Sequence, residues 1–278
     1  MNLADLTRLY DFTGHTVAIT GGAGVLGGEM ACALADLGAN VVILDRDPAL
    51  ADRLKDRLNV CSGQALIVYG NVLERETLIK ADEVIRAELG ASPDMLINAA
   101  GGNHPRATTS ADRPFFDLDI DDLRFVFDLN AIGTMLPSQI FGRRMAEAGR
   151  GVIVNISSMN AFRPLTRIPA YSAAKAAVTN FTQWLAVHMA KEYSPHIRVN
   201  AIAPGFMLTE QNRYLLTDRE TGELTPRGRA IIEHTPQGRF GTPEDLIGAL
   251  LWLLSPASAH VTGIVVPIDG GFSAFSGV

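Results

Sequence analysis

The sequence predicts one α/β domain built on a doubly wound parallel sheet of about seven strands. Short runs rich in Val, Ile and Leu recur along the chain, and segments of helical length separate them. The runs are almost continuously apolar, which is typical of strands that helices cover on both faces. Parallel strands require such crossover helices, and ligands then bind at the carboxyl ends of the strands.

Each predicted element follows from this alternation. The predicted strands span residues 16–20, 40–44, 65–69, 95–97, 152–156, 198–202 and 264–268. The predicted helices span residues 26–37, 49–58, 75–89, 121–148, 172–192 and 243–254. Because no linker, repeat or low-complexity tract interrupts this order, residues 1–278 are expected to form one domain. The irregular stretches 101–119 and 207–241 follow strands, so we expect them to form the substrate loops.

The composition excludes several classes of protein. With 278 residues, 47% of them hydrophobic, the chain can bury a large core, which argues against disorder. The net charge of -6, without a run of Lys or Arg, argues against a nucleic-acid partner or a membrane surface. Neither Cys32 nor Cys61 lies in a metal-binding spacing, so no metal site is predicted. Asp5 and Arg8 interrupt any apolar leader, which predicts a cytoplasmic protein.

A glycine-rich turn links the first predicted strand to the first long helix. Its sequence is TGGAGVLG, from Thr20 to Gly27. Glycines let the backbone approach a pyrophosphate, and the start of the helix offers unpaired N–H groups. A tight turn without a ligand is the alternative, but the position after the first strand favours a Rossmann-type dinucleotide site. The predicted contacts here are Gly21, Ala23, Gly24, Leu26 and Gly27.

An acidic residue ends the second predicted strand. Asp45 lies about 20 residues beyond the turn, where an acid usually binds the ribose hydroxyls of the adenosine. Its charge would repel a 2'-phosphate, which favours NAD, whereas Arg46 leaves NADP open as the alternative. The other interpretation is that Asp45 only caps the helix after Pro48.

Polar residues at predicted strand ends indicate acid/base chemistry. Tyr171 and Lys175 are four positions apart on a predicted helix, so they share one face, and the lysine is expected to lower the tyrosine pKa from about 10. Ser158 follows a strand, where its hydroxyl can polarise a substrate carbonyl. Asn130 is a poor helix former that either bends the helix, holds a water or is a satisfied core amide.

In order and spacing these motifs resemble the short-chain dehydrogenase/reductase family over nearly the whole chain. The resemblance rests on TGGAGVLG, the NAAG of residues 98–101, Asn130, Ser158, the YxxxK of Tyr171 and Pro204-Gly205. Two departures are Val25, where the family has a glycine, and Asn71, where it usually has an aspartate.

The resemblance implies a role for each residue. Tyr171 is the proton donor or acceptor, Ser158 orients the carbonyl, Lys175 holds the nicotinamide ribose, and Asn130 organises a relay water. Most members of the family are tetramers, so a homotetramer is expected. The resemblance implies that Tyr171 and Lys175 also contact the cofactor. The further cofactor contacts that it implies are Asn71, Val72, Asn98, Ala99, Gly101, Pro204, Gly205 and Thr209.

Within the family the chain resembles the mannonate oxidoreductase (fructuronate reductase) branch, through GGNHPRATT, SSMNAFRPLT, FTQWLAV, QNRYLL and DGGFSAFSG. The expected reaction is therefore reversible reduction of D-fructuronate to D-mannonate. Polar residues on the predicted loops also suit a sugar acid, and Arg163 or Arg213 is expected to bind its carboxylate. With Ser158, the predicted substrate contacts are Asn103, His104, Asn160, Arg163, Gln211 and Arg213.

Other functions stay open at this point. Another sugar acid or polyol, such as gluconate or 2-dehydro-3-deoxygluconate, fits the same residues. A sugar-nucleotide epimerase would need a longer substrate domain than the chain has room for. A catalytically silent dinucleotide sensor would be expected to lack Tyr171, Lys175 or Ser158, and all are present.

Overall fold

In the computed structural model, the protein forms a seven-stranded parallel sheet with helices on both faces. The structure describes residues 2–209, 213–218 and 221–277. The strand order is β3-β2-β1-β4-β5-β6-β7, so the predicted doubly wound fold is confirmed. The strands are β1 Thr16–Thr20, β2 Asn40–Asp45, β3 Ala65–Tyr69, β4 Met95–Asn98, β5 Gly151–Ile156, β6 Ile197–Pro204 and β7 Val265–Ile268.

Helix α1, Leu3–Leu9, precedes β1. The α-helices between the strands are α2 Val25–Asp36, α3 Lys55–Leu58, α4 Arg75–Leu89, α5 Ile120–Phe127, α6 Gly133–Ala148, α7 Pro169–Glu192, α8 Arg213–Leu216, α9 Pro226–His234 and α10 Ile247–Leu254. Two predicted helices begin as 3-10 turns, at Pro48–Leu54 and Pro243–Leu246. The prediction of one continuous helix over residues 121–148 is wrong, because a π-helical turn, Asp128–Ile132, separates α5 from α6. Within the described ranges, no helix has the length and hydropathy that a membrane span requires.

Successive residues of a central strand face opposite sides of the sheet. Val17 and Ile19 belong to the core beneath α2 and α10, whereas Ala18 between them belongs to the core beneath α4, α6 and α7. Every residue of β1 is buried. Burial on both sides explains why the strands are continuously apolar in sequence. Within the sheet, functional groups can therefore lie only at the ends of the strands.

Candidate active site

A groove of about 700 Å³ runs along the carboxyl edge of the sheet. This is the edge at which doubly wound sheets bind ligands. The residues that line it include Gly21, Gly24, Val25, Leu26, Gly27, Asp45, Arg46, Asn71, Val72, Ala99, Gly101, Ser158, Tyr171, Lys175, Pro204, Gly205 and Thr209. Most of the predicted catalytic and cofactor-binding residues thus lie together.

The glycine-rich turn leaves no space for side chains at the start of the groove. Gly21 has φ of 63°, and a Cβ atom there would lie 2.8 Å from the Cα atom of Ala100. A Cβ atom on Gly27 would lie 2.5 Å from the carbonyl oxygen of Gly21. Gly24 caps the N-terminus of α2, whose first N–H groups have no partner within the helix. This cradle fits the pyrophosphate of a dinucleotide.

The carboxylate of Asp45 is held by backbone N–H groups. Oδ2 accepts from the N–H of Ala23 at 3.2 Å, and Oδ1 accepts from the N–H of Asp47 at 3.1 Å. Asp47, not Asp45, is the N-cap residue of the next 3-10 turn, so the helix-cap interpretation of Asp45 is wrong. Ala23 itself is fully buried and does not line the groove. Its N–H group holds the carboxylate of Asp45, and its contact with the cofactor stays a prediction.

Two other residues that are predicted to contact the cofactor use their side chains in hydrogen bonds within the protein. The Asn71 side chain lines the groove but donates to Glu74 Oε1 at 2.7 Å and accepts from the N–H of Leu73. Asn98 lies inside the sheet, where Nδ2 donates to Ser138 Oγ at 2.9 Å and to Asn155 Oδ1 at 2.8 Å. Because Asn98 is buried and does not line the groove, its side chain is not placed to contact the adenosine.

Helix α7 and the end of β5 bring three polar side chains together. Lys175 Nζ lies 5.6 Å from the centre of the Tyr171 ring and donates to the carbonyl oxygen of Ile156 at 2.7 Å. The side chain of Ser158 interacts with the Tyr171 hydroxyl and favours its ionised form. A tyrosine, a serine and a buried lysine therefore line one end of the groove. This group can exchange a proton with a substrate oxygen.

Burial controls the ionisation of this group. It raises the pKa of Tyr171 above the ordinary value, and the hydrogen bond with Ser158 opposes that rise. It also lowers the pKa of Lys175 to about 8. The net pKa of Tyr171 is therefore not lowered as expected in the protein alone, because removal from water disfavours its charged form.

Asn130 is a satisfied core amide at a π-helical turn. It is fully buried in the π-helical turn, and its Nδ2 donates to the carbonyl oxygens of Val126 and Gly102, each at 2.7 Å. Its Oδ1 accepts from the N–H of Gly102 at 3.1 Å. The bond to Val126 occupies a carbonyl that a regular α-helix would offer to a backbone N–H. The relay-water role of Asn130 stays a prediction.

Four of the predicted substrate contacts, Asn103, His104, Asn160 and Arg163, do not line the groove. Asn103 donates to Thr108, and His104 accepts from the N–H of Arg106, which is the loop-capping arrangement. Asn160 is buried and holds the loop after β5, while Arg163 is exposed and donates to the carbonyl oxygen of Phe162. These four residues fail to line the groove because their own loops use their polar atoms or direct them outward.

Two predicted contacts lie on the loop after β6. Arg213 begins α8 and does not line the groove as the structure describes it. Gln211 lies outside the described residues.

Sequence reasoning missed a second cavity beside the groove. It has a volume of about 390 Å³, and Phe206 lines both. Arg167, Arg227 and His234 also line it. The sequence contains one signal for this cavity, because Arg167 lies only four positions before Tyr171. Arg227 comes from a helix about 60 residues further along, and no local pattern connects the two.

Fold and groove together define a dinucleotide-dependent oxidoreductase with a Ser-Tyr-Lys acid/base group. The family model for short chain dehydrogenase matches residues 15–220. The chain therefore belongs to the short-chain dehydrogenase/reductase family, and it is an oxidoreductase that acts on a CH–OH group with a nicotinamide cofactor.

Similar proteins extend over almost the whole chain. UxuB, an uncharacterized oxidoreductase of Bacillus subtilis, is 47% identical over 277 residues, which cover 96% of this chain and 98% of the relative. The 5-keto-D-gluconate 5-reductase of Escherichia coli is 32% identical over 266 residues, with 96% and 98% coverage. A candidate D-mannonate oxidoreductase of Haemophilus influenza, solved with bound NAD, is 46% identical with a TM-score of 0.91, covering 98% of this chain and all of that chain.

Proposed function

We propose that the protein interconverts D-fructuronate and D-mannonate with NAD. The observation that carries this proposal is the similarity to the Haemophilus influenza candidate D-mannonate oxidoreductase, 46% identical across 98% of this chain. The groove supplies a fitting acid/base group and dinucleotide cradle. The carboxylate of Asp45, at the end of β2, favours a ribose with free hydroxyls over one that carries a 2'-phosphate.

The chain's own residues account for the proton chemistry. Ser158 donates a hydrogen bond to the substrate oxygen, and Tyr171 gives that oxygen a proton in reduction or removes one in oxidation. A bound nicotinamide supplies the hydride in reduction and accepts it in oxidation. Lys175, with its pKa near 8, carries a positive charge at neutral pH, and its bond to Ile156 fixes it beside Tyr171. That charge stabilises the phenolate which forms when Tyr171 gives up its proton.

Steady-state assays with D-mannonate, D-gluconate and D-mannitol test the proposal. We expect D-mannonate to have the highest kcat/KM with NAD. The matched variant Tyr171→Phe should keep NAD affinity, measured by calorimetry, while losing most turnover. Turnover of D-mannitol without turnover of any sugar acid would overturn the proposal, and tight NAD binding with no turnover at all would favour a dinucleotide sensor.

A second candidate substrate is another sugar acid or a polyol. The observation that favours it is the 32% identity to the Escherichia coli 5-keto-D-gluconate 5-reductase. In that case D-gluconate should exceed D-mannonate in kcat/KM. The same assay therefore separates the two candidates.

We also propose a homotetramer, in which apolar faces of α5 and α7 are buried between subunits. Phe125 and Phe127 on α5 are about a third exposed, and Trp184 and Val187 on α7 are more than half exposed. Large exposed apolar side chains on neighbouring helices favour an interface between subunits. Light scattering should give the mass of four chains, whereas a monomer mass would contradict the proposal. A cytoplasmic location stays a prediction of the sequence.

A further inference from the structure

The second cavity adjoins the acid/base end of the groove. Its wall includes the loop 165–168, which leads directly into α7 and therefore into Tyr171. The opposite wall is α9, and Phe206, which follows β6, lines both this cavity and the groove. A substrate whose reacting carbon lies at Tyr171 can therefore extend past Phe206 into this cavity.

The cavity is electropositive within an acidic protein. Arg167 and Arg227 line it, and no Asp or Glu occurs among the described residues of its wall. Neither arginine side chain has a hydrogen bond or an ion pair with any described residue. Several arginines outside this cavity are paired with carboxylates, such as Arg57 with Glu29 and Arg239 with Asp245. Two unpaired guanidinium groups beside one cavity thus constitute a site for an anion.

The remaining wall of the cavity is apolar. Leu165, Ile168, Ile231, Phe206 and Phe272 form most of it. Pockets of this kind, with apolar walls and a few polar groups, orient small ligands. Arg167 and Arg227 are both exposed, so a carboxylate that enters the cavity can reach them. The C–H groups of a carbon chain can pack on the apolar wall while its charged end reaches the arginines.

We propose that Arg167 and Arg227 bind the carboxylate of the polyhydroxy acid whose reacting carbon lies between Ser158 and Tyr171. This inference rests on the proposed sugar-acid function, because it assigns the charged end of the same substrate. It replaces the sequence-based assignment of the carboxylate to Arg163 or Arg213, since neither residue lines the groove or this cavity. The arginines then distinguish sugar acids from uncharged polyols.

The test uses Arg167→Met, Arg227→Met and the double variant, with Arg229→Met as the matched control. Arg229 is exposed on the same helix, α9, but does not line the cavity. The KM for D-mannonate should rise about tenfold or more in each single variant, as loss of a charge-assisted hydrogen bond implies. The KM for NAD should not change, and Arg229→Met should behave as the wild type. Arg227→Lys, which keeps the charge but loses the planar fork, should recover part of the loss.

The outcomes separate this inference from the proposed function. Wild-type turnover of D-mannonate with an unchanged KM in the double variant overturns the carboxylate site alone. Wild-type enzyme that oxidises no sugar acid overturns both. An equal rise in KM for D-mannonate and for D-mannitol would also overturn the carboxylate site, because an uncharged polyol has no charge for the arginines to bind.

Discussion

Asn130 and Gly102 exchange a reciprocal pair of hydrogen bonds. The N–H of Gly102 donates to Asn130 Oδ1 at 3.1 Å, and Asn130 Nδ2 donates to the Gly102 carbonyl oxygen at 2.7 Å. The pair joins the π-helical turn to the loop after β4. A Cβ atom on Gly101 would lie 2.6 Å from Asn130 Oδ1, so only glycine permits this close approach. The contact holds the loop that lines the centre of the groove.

The variant Asn130→Ala should therefore lose both stability and activity. It leaves the polar groups of Gly102 and the Val126 carbonyl without their partner, which costs about 1–3 kcal/mol of unfolding free energy. Urea unfolding measures that loss, and kcat should fall because the loop moves. Asn130→Asp keeps the acceptor for the N–H of Gly102 but loses the donor. Its unfolding free energy should therefore also lie below that of the wild type. An unchanged unfolding free energy in Asn130→Ala would contradict the structural role.

The buried lysine makes stability depend on pH. Since the pKa of Lys175 is lowered to about 8 in the folded protein, the unfolded chain holds one more proton than the folded chain from pH 8 up to the ordinary lysine pKa. Unfolding free energy therefore rises with pH in that window. Between pH 7.5 and 9.5 the wild type should gain about 2 kcal/mol relative to Lys175→Met. Denaturant unfolding at the two pH values measures it, and a constant difference would contradict the lowered pKa.

Asp45 should set the preference for NAD over NADP. Its carboxylate faces the groove and is held by the N–H groups of Ala23 and Asp47. Asp45→Ser removes the charge that repels a 2'-phosphate and leaves Arg46 to attract it. The KM for NAD should rise about tenfold or more, while the KM for NADP should fall. Steady-state kinetics with NAD and with NADP measure the change. If the ratio of the two kcat/KM values is the same in Asp45→Ser as in the wild type, Asp45 does not set the preference.

Arg198 should stabilise the fold without affecting catalysis. It is buried in β6 and donates to the carbonyl oxygens of Leu253, Leu254 and Ser255 at the end of α10. Burial lowers its pKa, but the bonded carbonyls compensate the charge. Arg198→Met should cost about 3 kcal/mol because these acceptors lose their donor. The exposed control Arg229→Met should cost less than about 0.5 kcal/mol. Equal melting temperatures for the two variants would contradict this role.

Much of the site could be predicted because its signals are local. The turn from Gly21 to Gly27 requires glycine at adjacent positions, and Tyr171 and Lys175 share a helix face through their spacing. The strands were predicted to within about two residues, because burial on both faces makes each one continuously apolar. The sequence marks Asn130 as a poor helix former, but its bond to Gly102, 28 residues earlier, could not be predicted because it depends on the tertiary fold.

The sequence by itself determined the parallel sheet, the dinucleotide cradle and the Ser-Tyr-Lys group. These features follow from hydrophobic periodicity and from motifs whose residues are close in sequence or lie at strand ends. The tertiary structure alone decided which arginines meet at a cavity and which predicted contacts turn inward. Arg167 and Arg227 come together because a loop and a helix that are far apart in sequence pack against the same end of the sheet. Asn98 turns inward to donate from Nδ2 to Ser138 and Asn155, and Asn160 turns inward to accept from the N–H of Leu165.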